Sequence, residues 1–80
     1  MIDKKYGKVT LENRPNADPD EPCFVFRAQD ILAPPALYAY ADLIEATIPG
    51  ERARNMAIHI REQARAMANW PNRKLPDGLR

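Results

Sequence analysis

The chain has 80 residues, one cysteine, one histidine and a formal net charge of +1. A domain this small buries only about 60–65% of the surface its unfolded form exposes, so it tends to need a disulfide, a metal or a partner chain. A lone Cys23 excludes an intrachain disulfide, and one Cys with one His excludes a standard four-ligand zinc site, which leaves self-association and predicts a homo-oligomer.

The N-terminal octapeptide Met1–Lys8 is charged and no apolar run follows it, so no secretory leader is expected. No stretch approaches the roughly 20 apolar residues of a membrane span. A single free thiol suits a reducing compartment, and the expected location is the cytoplasm. Over residues 4–12, Val9 and Leu11 share one face and Lys8, Thr10 and Glu12 the other, which predicts a short amphipathic strand. Residues 13–22 form an acidic, proline-rich loop with no periodicity. Residues 23–28 read as a second strand, with Phe24, Val25 and Phe26 as consecutive β-formers covered on both faces.

Residues 29–35 turn the chain. Pro34 and Pro35 are tolerated only in the first turn of a helix, which places a helix start near Ala33. Leu37, Tyr40, Ala41, Ile44 and Ile48 form one apolar face, and Pro49-Gly50 ends the helix. A second helix is predicted from about Glu51 to Asn69, with Ala53, Met56, Ala57, Ile60, Ala64 and Met67 as its core stripe. Its small residues suit a close-packed hairpin with the first helix. Pro71 stops this helix and opens an irregular tail that Trp70 and Leu75 pin to the body. The fold class is therefore α+β. The expected layout is a single domain over 1–80, with a β-ribbon over 1–30 packed on a helical hairpin over 31–70, and a tail over 71–80.

Candidate chemistry is sparse. Cys23 opens an apolar strand with no orienting partner, and His59 sits on a helix surface, so no nucleophile–base pair is expected and the chain is read as a non-enzyme without cofactor. Asp18, Asp20 and Glu21 lack calcium-loop spacing, and Gly7, Gly50 and Gly78 are isolated, so neither a metal site nor a phosphate-binding glycine loop is expected. Charge is uneven: residues 1–50 carry −3 and residues 51–80 carry +4, with six arginines among the seven cations of the second part. The acidic first half disfavours duplex DNA. The basic helix face reads either as a solvated surface or as a grip on phosphate.

Arg27, Gln29 and Asp30 leave the second strand together, and Tyr38 follows. Arginine holds phosphate, Gln and Asp read a ribose or base edge, and an aromatic ring stacks on a base. Arg54, Arg61 and Arg65 share a face of the second helix and are candidates to close the site from the same chain or a partner. The alternative is that Arg27 and Asp30 pair with each other and hold the turn.

The run Asp20-Glu21-Pro22-Cys23-Phe24-Val25-Phe26-Arg27-Ala28-Gln29-Asp30 resembles a segment of short open reading frames in bacteriophages and prophages. The ending Met67 to Asp77 is similar to how such frames close. The order of strands followed by two helices also resembles phage anti-defence sponges, such as the Thoeris anti-defence and anti-CBASS sponges. That resemblance implies a homo-oligomer in the host cytoplasm that sequesters a cyclic nucleotide or ADP-ribose-derived signal without turnover. The alternatives are an anti-defence inhibitor that binds a host protein through the acidic loop, and a small nucleic-acid-binding protein.

Overall fold

A computed structural model describes residues 1–76. The fold is α+β, built from strands β1 (Ile2–Asp3), β2 (Gly7–Lys8) and β3 (Pro22–Cys23) and helices α1 (Ala33–Thr47) and α2 (Glu51–Ala68). The strands form one small sheet in the order β2-β1-β3. β1 is antiparallel to β2 and parallel to β3.

The ribbon differs from the expected one. A tight turn replaces the middle of the strand expected over residues 4–12. Gly7 adopts a positive φ of 83° there, and the Asp3 carboxylate accepts the N–H groups of Lys5 and Tyr6, each at 2.8 Å. Ile2 and Asp3 form a strand that the sequence reading omits, and bonds at its N-terminal end extend the pairing: Val9 donates to the Met1 carbonyl and Ile2 to that of Glu21. The expected strand over residues 23–28 stops at Cys23, which is half-buried. β3 lies at the edge of the sheet, and beyond it the Val25 N–H turns to the Asp3 carboxylate at 2.7 Å. Phe24 is consequently 77% exposed, with Phe26 packed edge-on at 5.0 Å between ring centroids. No strand Cα comes within 8 Å of a helix Cα.

The hairpin follows local chemistry. The Asp30 carboxylate accepts the Leu32 N–H at 2.8 Å, and the Asp30 carbonyl accepts that of Ala33. Pro34 and Pro35, which have no N–H to satisfy, then occupy the first turn. Pro49 forces Ile48 into an extended conformation and closes α1. Gly50 follows at φ 107° and ψ 169°, a region open almost only to glycine, and α2 starts at once. Glu51 in the first turn and Arg65 in the last complement the α2 dipole.

Alanines dominate the seam, joined by Ile44 and Met67. Ala33, Ala41, Ile44, Ala53, Ala57, Ala64 and Met67 are buried. Leu37 and Ile60 are only half-covered. Tyr40, Ile48 and Met56, expected in the core, are about half-exposed. Alanine against alanine draws helix axes close together and leaves longer neighbours outside the contact. Across one flank, Arg61 donates to the Asp42 carboxylate at 2.8 Å and to the Glu45 carboxylate. Asp42 and then Glu45 hold its guanidinium above the ordinary arginine value, so it stays charged. Replacing Arg61 by Gln frees both carboxylates at once. The melting temperature is expected to fall by a few degrees at low ionic strength, with the deficit shrinking in ~0.5 M salt as screening removes the attraction.

The tail docks on its own chain through backbone rather than through Trp70 and Leu75, which are both about half-exposed. The Lys74 N–H donates to the Gln29 carbonyl at 2.6 Å, and the Lys74 carbonyl accepts the Ile31 N–H at 3.0 Å. This forms a parallel bridge between Asp30 and Lys74. The Arg73 guanidinium spans the carbonyls of Ala28, Asp30 and Ala68 at 3.4 Å. The remainder of the expected 71–80 tail lies outside the described residues.

Candidate functional site

The exit from β3, the β1–β2 turn and the docked tail meet at a cleft of about 240 Å³. The Asp3 carboxylate organises it. This group is 3% exposed and accepts three backbone N–H groups, two from the turn and one from Val25. The bond from Tyr6, with those from Val25 and Lys5, keeps its pKa below the ordinary carboxylate value of 3.8 against the opposing effect of burial. Tyr6 and Arg27 are thereby held on facing segments, and the Arg27 guanidinium lies 5.6 Å from the Tyr6 ring centroid. The Lys5 ammonium lies 5.2 Å from the same centroid, so one ring carries two cations.

Phe24, Gln29, Asp30, Lys74 and Leu75 complete the wall. A second, shallower cleft of about 280 Å³ shares Arg27 and Gln29 and is closed by Ala28 and Trp70. Arg27 and Gln29 therefore address two adjoining clefts, with Tyr6 and Phe24 in one and Trp70 in the other.

Three of the seven candidate ligand residues from the sequence, Arg27, Gln29 and Asp30, come together here. Asp30 spends one carboxylate oxygen on the Leu32 N–H and starts α1; its backbone N–H, not its side chain, meets the Arg27 residue, at the carbonyl. Tyr38, Arg54, Arg61 and Arg65 line neither cleft. Tyr38 is on α1, Arg54 and Arg65 are exposed on α2, and Arg61 is engaged by α1.

Lys5, Tyr6, Lys74 and Trp70 are the contributors that the sequence reading did not place. For Tyr6 a signal existed in the run Lys4-Lys5-Tyr6-Gly7-Lys8, an aromatic between cations at a turn glycine. Lys74 reaches the site through a single backbone bridge, which leaves no periodic trace.

Cys23 and His59 lie on elements that do not meet, and His59 faces Glu62 one turn along α2 at 3.7 Å. Among the described residues, no three His, Cys, Asp or Glu side chains group as a metal site. No described helix is long and apolar enough to cross a membrane. The chain matches no family model, no curated protein and no solved structure.

Proposed function

We propose that this chain is a phage-type accessory binding protein that takes up a small nucleotide-derived signal, of the cyclic nucleotide or ADP-ribose class, without turning it over. The observation that carries this reading is the placement of the Arg27 guanidinium over the Tyr6 ring at the junction of two clefts that share Gln29. An arginine held by an aromatic face keeps its outer N–H groups directed at an anion and loses little freedom on binding. A phosphate on Arg27 leaves the adjoining sugar or base beside Gln29, within the shared wall of the Trp70 cleft. Each cleft is below the roughly 300 Å³ of an ordinary ligand pocket, so the two together fit one nucleotide better than either does alone.

Trp70 is the only tryptophan and lines the second cleft, which makes it a direct reporter. Titration with ADP-ribose, and separately with a cyclic dinucleotide, is expected to change Trp70 fluorescence saturably for at least one of them. Mass spectrometry is expected to recover that ligand intact. Arg27→Ala should weaken binding about tenfold or more, the cost of losing a charge-assisted bond to phosphate. A flat titration with both probes, or unchanged affinity in Arg27→Ala, overturns the reading.

A further inference from the structure

We propose that the cleft at Arg27 is a diphosphate site, suited to two phosphoryl groups joined by one oxygen rather than to a single phosphate. This rests on the nucleotide reading above and narrows its ligand to a nucleoside diphosphate or a nucleotide linked through a diphosphate.

Two cations meet at one ring. The Arg27 guanidinium lies 5.6 Å and the Lys5 ammonium 5.2 Å from the Tyr6 ring centroid. They belong to different segments, Lys5 to the β1–β2 turn and Arg27 to the exit from β3. The Asp3 carboxylate ties those segments together through the N–H groups of Lys5, Tyr6 and Val25, so both charges are in place before any ligand arrives. Lys74 adds a third cationic residue to the wall from the docked tail, where its backbone bonds to Gln29 and Ile31 anchor it.

One arginine fork is enough for a single phosphate. Like charges gathered at one place repel each other, and a ligand with more than one negative charge relieves that repulsion. The opposing charge in the wall is small. Asp30 is the one acid among the described lining residues, and one of its carboxylate oxygens accepts the Leu32 N–H. The Asp3 carboxylate is buried and turned to backbone N–H groups. Arg73 is left out of the cation group, because its guanidinium is taken by the carbonyls of Ala28, Asp30 and Ala68.

Spacing then separates the ligand classes. The two phosphoryl groups of a diphosphate share a bridging oxygen and can reach neighbouring cations together. A cyclic dinucleotide keeps its phosphates a ribose apart, which a cleft of about 240 Å³ does not span.

The test is isothermal titration calorimetry at low ionic strength with inorganic pyrophosphate and inorganic phosphate, then with AMP, ADP, ADP-ribose and a cyclic dinucleotide. Pyrophosphate is expected to bind about tenfold or more tighter than phosphate, the effect of a second charge-assisted contact. ADP or ADP-ribose should exceed AMP by a similar factor; ADP presents the diphosphate as a terminus and ADP-ribose as a bridge, so the tighter of the two names the source. Lys5→Gln and Lys74→Gln should each weaken pyrophosphate binding about threefold or more and leave phosphate binding nearly unchanged. Backbone bonds hold the turn and the tail at these positions, and glutamine keeps them. Arg54→Gln removes the same charge from an exposed position on α2 outside both clefts and should change neither affinity. Equal affinity for phosphate and pyrophosphate overturns the proposal. So does unchanged pyrophosphate binding in both lysine variants, or an equal loss in Arg54→Gln. A cyclic dinucleotide that changes Trp70 fluorescence while pyrophosphate fails to bind also overturns it and leaves the wider nucleotide reading standing. Tight pyrophosphate binding without a response to any nucleotide does the reverse: the diphosphate site stands and the nucleotide reading falls.

Discussion

Asp3→Ala is expected to open the N-terminal ribbon while the helical hairpin stays folded. The Asp3 carboxylate is the shared acceptor for the N–H groups of Lys5, Tyr6 and Val25, and it is almost fully covered. Alanine leaves all three donors without it, and a buried donor without an acceptor costs more than the bond it had gained. Asparagine is no conservative replacement. Its one oxygen can serve the Lys5 and Tyr6 pair, but its NH₂ then faces the Val25 N–H, donor against donor. Two-residue strands add few ladder bonds, so the loss of this shared acceptor weighs heavily on the ribbon. Amide exchange at Tyr6 and Val25 should accelerate about tenfold or more in both variants. Amides of α1 and α2 should be unchanged. Equal acceleration in the helices would show that the ribbon and hairpin unfold as one unit.

The same carboxylate sets an acid limit. Its folded pKa lies below its unfolded value near 3.8. Its contribution to stability is therefore complete above 3.8 and disappears as pH falls through the lower folded value. The Tyr6 and Val25 amide resonances should hold their positions down to that region and shift together below it. Because Tyr6 and Arg27 depend on this anchor, ligand binding at the Arg27 cleft should fail over the same acid range.

The parts of the fold that were legible in the sequence are those governed by local chemistry. Pro34-Pro35 fixed where α1 starts, and Pro49-Gly50 fixed where it stops and α2 begins. The alanine and methionine spacing identified the seam residues Ala41, Ala53, Ala57, Ala64 and Met67. The ribbon was less legible because its order depends on side-chain capture of backbone. Nothing in the β-propensity of Phe24, Val25 and Phe26 reveals that Asp3 takes the Val25 N–H. Without a strand partner beyond Cys23, propensity has nothing to act on. The candidate site divides in the same way. Arg27, Gln29 and Asp30 are neighbours in sequence and stay together. Tyr38 and the arginines of α2 were linked to them by chemical type, and chemical type carries no information about distance. Arg61 illustrates the competing use: two carboxylates on α1, at positions 42 and 45, meet one arginine across the hairpin.

Ala57→Leu should destabilise the hairpin, whereas Ala66→Leu, nine residues further along the same helix, should be neutral. Ala57 is fully buried with Ala41, Ala53 and Ala64 in the seam, and Ala66 is exposed. Both substitutions make the same small change in helix propensity, so the difference between them isolates packing. The alanines permit two physical states. In the first, the helices are in close contact, a leucine has no room, and the axes must separate or the side chain must leave its rotamer. That costs about 1–3 kcal/mol, which for a domain of this size lowers the melting temperature by roughly 4–8 °C per kcal/mol. In the second, the helices stand apart, the alanines face a void, and leucine fills it with a gain in stability. The Arg61 fork across the flank of the seam, which ties α2 to Asp42 and Glu45 of α1, favours the first state. Thermal melts of Ala57→Leu and Ala66→Leu, at matched concentration because association raises the apparent midpoint, distinguish the two. A higher midpoint for Ala57→Leu than for wild type would mean that the seam is underfilled and that the hairpin gains its order elsewhere.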